Sequence, residues 1–245
     1  MPEISVKAEP LFHIGGFKVT NSLFTSMFVM LLTALLCIYF FSEATKKNKG
    51  RLFYFIKFAV NSVYSLFESV FGDKTPLFFP ILFAFFLYIL LQNWFGLLPG
   101  VGSILIKVTE EHGEKLIPIL RGNNADLNTT MGLALISVFL IQVYSIKYLG
   151  IKGYLQKFFN FTNPILFFVG ILDIISEISK VISFSFRLFG NIFAGEVLMT
   201  IIAFLIPILA SFPFLLFEFF VGLIQAMVFS MLTAVFINGA IQKHH

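Results

Sequence analysis

Long apolar blocks alternate with short polar joints along this chain. Residues 17–41 hold about one membrane span's worth of Phe, Leu, Val and Met, and the block runs out into EATKKNKGR. Residues 50–73 differ in kind. There Lys57, Asn61, Ser65, Glu68 and Asp73 recur at helical spacing among Phe, Leu and Val, which predicts an amphipathic helix lying along the inner membrane surface. Pro76 opens a second span over 76–98, with Trp94 as an interfacial anchor and a break at Pro99 and Gly100. A polar loop fills 99–128 and a third span 130–149. From Asn163 to Gln242 the chain is almost wholly apolar, interrupted by Pro207 and Pro213. Proline disrupts helix interiors and restricts the residue before it, so two long helices, 163–207 and 213–242, are expected on either side of a turn.

Composition identifies the solvent. The 245 residues are 58% hydrophobic and 12% charged, against roughly 25% charged in soluble domains. The fold class is therefore an all-α polytopic membrane protein in one membrane domain, 1–245. The first apolar block is too long for a signal-peptide core, and no small-residue cleavage pattern follows it. The net charge of +4 follows loop positions and forms no patch, which excludes a nucleic-acid footprint. Lys46, Lys47, Lys49 and Arg51 follow the first span, and Lys147, Lys152 and Lys157 the third. The loop 99–128 balances Glu110, Glu111, Glu114 and Asp126 against Lys107, Lys115 and Arg121. Basic loops stay inside, so the segment 1–16 and the loop 99–128 are outer, and five crossings end with the carboxyl tail inside. The lone Cys37 has no partner for an intramolecular disulfide.

Charge inside the last two helices is the informative anomaly. Asp173, Ser176, Lys180, Ser183, Arg187 and Asn191 fall three or four residues apart and draw a polar stripe along one helical face. Charge in hydrocarbon is costly and marks an ion path, a sensor or a buried pair. Arg187 sits far from both helix ends, and its nearest same-face neighbours, Ser183 and Asn191, carry no negative charge. Glu196, nine residues on, lies about half a turn round and about 13 Å further along, too far for an intrahelical pair. The counter-charge for Arg187 must come from another helix or another polypeptide. Glu196 and Glu218 flank the proline turn at comparable distances, so a hairpin brings them to similar depth on the outer side. Gln225, seven residues beyond Glu218, shares nearly the same face and points toward the level of Arg187. Asp173 and Glu177 belong to the inner half. Acids near each membrane face with a fixed cation between them suit two aqueous half-paths separated by a guanidinium.

Four stretches, FRLFGNIFAGE, LIQAMVFSMLTAVF, ADLNTTMGLAL and LQNWFGLLPG, resemble subunit a of the F-type ATP synthase membrane sector, and the likeness extends from the first span to the carboxyl end. The resemblance implies that Arg187 is the stator arginine facing a rotating ring of c subunits, whose membrane carboxylates supply the missing negative partner. It implies two long, steeply tilted helices around that ring, with the peripheral stalk b subunits and the rest of the synthase as further partners besides membrane lipid. Glu196, Glu218 and Gln225 match positions of the outer half-path, and Asn191 stands beside the arginine. Asp126 and Asn128 match polar positions where the outer loop meets its span, and Asp173 an acidic position of the inner half-path. Some relatives pair a histidine with a carboxylate at the positions of Glu196 and Glu218. Both are acidic here, while His13, His112, His244 and His245 lie outside the spans, so a relay would use carboxylates and water. Two such acids would titrate as a coupled pair and would also attract sodium.

No glycine-rich phosphate loop and no metal-ligand cluster is present, so no cofactor or metal is expected, and nucleotide chemistry falls to partner subunits. The expected function is proton conduction between the c ring and both membrane faces, in a bacterial inner membrane or alternatively a mitochondrial one. Two rivals are a self-contained secondary transporter and a scaffold with buried polar glue. The first has too few spans for the usual repeat architecture and no evident pair of broken helices. Copurification separates them, since a transporter works alone and a stator subunit is inactive without its ring.

Overall fold

A computed structural model describes residues 8–15, 17–98, 100–102, 104–110, 113–159, 163–206 and 211–241. Six helices dominate: α1 Asn21–Ala44, α2 Arg51–Phe71, α3 Thr75–Gly96, α4 Leu127–Phe158, α5 Pro164–Leu205 and α6 Ser211–Ile241. Among the described residues four stretches are long and apolar enough to cross a membrane: 21–44, 51–96 (through α3), 127–158 and 211–241. At 1.5 Å per residue the 42-residue α5 is about 63 Å long, roughly twice the hydrocarbon thickness.

The all-α expectation needs correction before α1 and between α3 and α4. Strands β1 Pro10–Ile14 and β2 Phe17–Thr20 form one antiparallel hairpin, and β3 Leu105–Glu110 and β4 Gly113–Pro118 form another. Residues 17–20, assigned to the first span, are therefore strand. Thr20 instead caps α1, its Oγ1 accepting from the Leu23 amide at 3.3 Å. Residues 99–128, read as a loop, hold the second hairpin and the first two residues of α4. The break between the last two helices lies two residues earlier than expected, α5 ending at Leu205 and α6 beginning at Ser211. Pro213 lies in the first turn of α6, where a missing amide hydrogen costs nothing, and residues 207–210, with the expected turn residue Pro207, lie outside the described residues.

Local chemistry explains the remaining ends. Asp126 caps α4 by accepting from the Asn128 amide at 3.1 Å, and Asn163 caps α5 with Pro164 following it. Glu43 closes the α1–α2 turn, accepting from Lys46 Nζ at 2.7 Å and the Gly50 amide at 2.8 Å. α4 breaks at Gly150, whose φ of 74° suits glycine, so the span and the short 151–158 tail are separate helical pieces.

The core lies where α3, α4, α5 and α6 meet, with α2 laid against one side through Val63, Phe67 and Phe71. Phe78, Leu82, Ile89, Leu188, Ala226, Phe229 and Ile237 are fully or almost fully buried there. Lipid is as apolar as such a core, so apolar burial alone does not hold these helices together; close packing and cross-helix hydrogen bonds must. Ser137 and Thr233 bond at 2.9 Å between α4 and α6, and Asn238 Nδ2 donates to the Val70 carbonyl of α2 at 2.8 Å. α3 is tied to α6 by Asn93 Nδ2, which donates to the Gly222 carbonyl at 3.0 Å, and by Trp94 Nε1, which donates to the Phe219 carbonyl at 3.0 Å.

Candidate functional site

α5 carries Asp173, Ser183, Arg187, Asn191 and Glu196 in that order, and α6 carries Glu218 and Gln225. Packing of the two helices sorts these groups into separate environments. Arg187, Asn191 and Gln225 line a pocket of about 430 Å³ on the α5–α6 surface, walled by Phe217, Phe220, Val221 and Ile224. Glu196 and Glu218 line a different, larger cavity of about 1050 Å³ toward the β-hairpin end of the helices. Its other walls come from α3, α1 and the segment after β4, and include Gln92, Asn93, Asn21 and Arg121.

Arg187 is exposed, and its Nη2 donates to Ser183 Oγ at 3.2 Å. Among the described residues no carboxylate pairs with it. Around it α5 and α6 present Ile182, Phe186, Phe217, Phe220 and Ile224, all exposed and apolar. A guanidinium on such a face has no counter-charge among the described residues. In hydrocarbon this arrangement costs several kcal/mol, on the order of 3 by the lowest scales.

The acidic pair is arranged more tightly than sequence spacing alone conveys. Glu218 is buried, 7% exposed, and its carboxyl lies directly over the Cα of Gly195, where any Cβ would strike it. It thus abuts the residue before Glu196, which is itself partly buried with Oε2 lacking a protein partner. Arg121, from the segment between β4 and α4, lines the same cavity as Glu196. Each buried polar atom left unsatisfied costs about 1–3 kcal/mol, so Glu196 Oε2 and Gln225 Nε2, with no partner among the described residues, need a hydrogen-bonding neighbour beyond them.

The other sequence candidates stand apart. Asp126 accepts from Ser22 Oγ at 2.9 Å besides capping α4, so with Asn128 it joins α4 to α1 and does not line the large cavity. Asp173 is half-buried on α5, about 21 Å along the axis from Arg187. Near it Glu177 accepts from Gln142 Nε2 at 2.7 Å and Lys180 Nζ at 2.8 Å, with Lys157 Nζ at 3.7 Å. That cluster closes the tail of α4 onto α5, and the Tyr154 hydroxyl extends it by donating to Gln142 Oε1 at 3.0 Å.

Sequence reasoning passed over Gln92, Asn93, Arg121 and Asn124. Asn124 Nδ2 donates to Asn93 Oδ1 at 2.6 Å, so an amide pair bridges the segment before α4 and α3 beside the cavity. The available signal was two adjacent amides inside an apolar run, which the neighbouring Trp94 disguised as an interfacial end.

Fold and site together define a multi-pass helical membrane protein with a cation unpaired among the described residues on one face and two acids in a separate cavity. The family profile described as "ATP synthase A chain" matches residues 23–238. A Photobacterium profundum protein named ATP synthase subunit a 1 is 34% identical over 242 residues, covering 94% of this chain and 90% of its own. ATP synthase subunit a of Buchnera aphidicola is 31% identical, covering 95% and 87%, and that of Moorella thermoacetica 28% identical, covering 98% and 99%. The chain belongs to the ATP synthase A chain family.

Proposed function

We propose that this chain is the stator subunit of the membrane sector of a rotary ATP synthase, conducting protons through two offset half-paths to and from the carboxylates of a rotating c ring. Arg187 faces the ring and keeps the two half-paths from joining. Its charge is permanent, and it draws the proton from each arriving carboxylate, since the ionised form gains a counter-ion there. Glu196, Glu218 and Gln225 form the outer half-path with Asn191 at its inner end. Ser183 and Asp173 mark the inner half-path, and Asp126 and Asn128 brace the outer mouth. The last two helices cross steeply tilted, completing five crossings, which gives the length of α5 a purpose. The peripheral stalk b subunits and the remaining synthase subunits are the other partners, and a bacterial inner membrane is the location.

The observation that carries this reading is Arg187 itself: a charge on an apolar face with Ser183 as its only side-chain hydrogen-bond partner among the described residues. Negative charge delivered by a second polypeptide resolves that arrangement, and a self-contained transporter does not supply it. The test is Arg187→Ala in the whole complex. Assembly persists, while proton-driven ATP synthesis and ATP-driven pumping fall by about a hundredfold or more, the scale of losing a preorganised charge from a reaction path. Arg187→Lys restores little, because an ammonium lacks the planar donor fork. Near-normal coupling in the alanine variant would make Arg187 structural and end the proposal.

A further inference from the structure

Gln92 on α3 is a buried primary amide with no partner. It is 1% exposed, and neither Oε1 nor Nε2 meets a protein hydrogen-bonding group. Its neighbour Asn93 is fully engaged, donating to the Gly222 carbonyl and accepting from Asn124. The backbone at 92–93 is therefore pinned against α6 at Gly222, where the Asn93 Cβ comes within 3.1 Å of the position a Gly222 Cβ would take. Gly222 lies one helical turn after Glu218 and just under one turn before Gln225. Gln92 also lines the cavity that holds Glu196 and Glu218. On α6 the crossing at Gly222 thus falls between Glu218 of the acidic cavity and Gln225 of the Arg187 pocket, and each pocket has an amide with orphaned atoms in its lining: Gln92 Oε1 and Nε2 in the first, Gln225 Nε2 in the second.

Such atoms are normally satisfied by ordered water when protein groups do not reach them, and the site is polar and adjoins a roomy cavity. A primary amide suits this task because it accepts at one atom and donates at the other, so it orients a water on each without taking a net proton itself. We propose that Gln92 is a positioning residue that holds ordered water at the α3–α6 crossing, carrying the outer half-path from the Glu196–Glu218 cavity toward Gln225 and Arg187. The chemistry balances without a co-reactant. A proton moves along the water chain, each water accepting one and passing one on, and Gln92 ends unchanged. This inference rests on the proton-path reading of Glu196 and Glu218.

The experiment uses the intact synthase in sealed vesicles and compares Gln92→Leu, Gln92→Ser and Glu218→Gln in proton-driven ATP synthesis, with complex content measured on the same membranes. Gln92→Leu keeps much of the volume and removes the amide. It should slow synthesis about tenfold, the equivalent of one lost hydrogen bond of ~1.4 kcal/mol. Gln92→Ser leaves room for an additional water and should stay within about threefold of the native rate. A packing role predicts the opposite order, because serine opens a void and leucine fills it. As a readout independent of turnover, a Gln92→Cys variant in a Cys37→Ser background should react with a small water-soluble thiol reagent added from the outer side. Leucine at native rate, serine slower than leucine, or a cysteine inert to the reagent each overturns the inference. If Glu218→Gln also runs at the native rate, the proton-path reading falls with it. If Glu218→Gln is impaired while Gln92→Leu is not, only the role of Gln92 falls.

Discussion

Gly195→Ala should disable the subunit without unfolding it, although it adds one methyl group to a helix. An ideal Cβ on Gly195 would stand 2.5 Å from Cδ and 2.6 Å from Oε1 of Glu218, whereas ordinary contact begins near 3.4 Å. The carboxyl must therefore retreat by about 1 Å. It is the far end of a flexible side chain, so the retreat costs the fold little, and alanine favours helix over glycine by roughly 1 kcal/mol. Function is less forgiving, since a displacement of about 1 Å at a reacting group can cost on the order of a hundredfold in rate. ATP-driven proton pumping by inverted vesicles, normalised to assembled complex, should drop by that order. Gly132→Ala on α4, where a Cβ meets nothing within 4 Å, should leave pumping unchanged. Shortening the acid in Gly195→Ala/Glu218→Asp should recover part of the rate. Full pumping by Gly195→Ala would show that the seat of Glu218 over Gly195 does not matter to proton transfer.

Other consequences are as direct. Glu196→Gln and Glu218→Gln should each slow proton-driven turnover, and the double variant should cost less than the sum; strictly additive losses would assign the two acids to separate paths. Thr233→Val breaks the 2.9 Å bond to Ser137 between α4 and α6 and should lower stability in detergent by about 1 kcal/mol, with Ser137→Ala adding little on top; full additivity would mean the bond carries no coupling. In a Cys37→Ser background, cysteines introduced at Asn48 and Glu111 should label from opposite sides of the membrane, and labelling from one side would refute the five-crossing topology.

Much of this protein was determined by its sequence alone. Long apolar blocks demand a membrane, and the fixed period of the helix places Arg187 away from every acid on α5, because those relations need only local geometry and the cost of charge in hydrocarbon. The hairpins β1–β2 and β3–β4 were not legible, since strands this short draw their stability from a partner's backbone more than from their own pattern. Nor did any local rule rank Gln92 and Asn93 above an ordinary span end. Their importance comes from α3 crossing α6 at Gly222, and the contact of Glu218 with Gly195 comes likewise from how α6 lies on α5. Lipid and protein core are equally apolar, so a hydrophobic pattern does not distinguish a helix face turned to lipid from one turned to another helix. Only the tertiary packing, through close approach at small residues and hydrogen bonds between helices, decided which polar groups share a cavity and which stand alone.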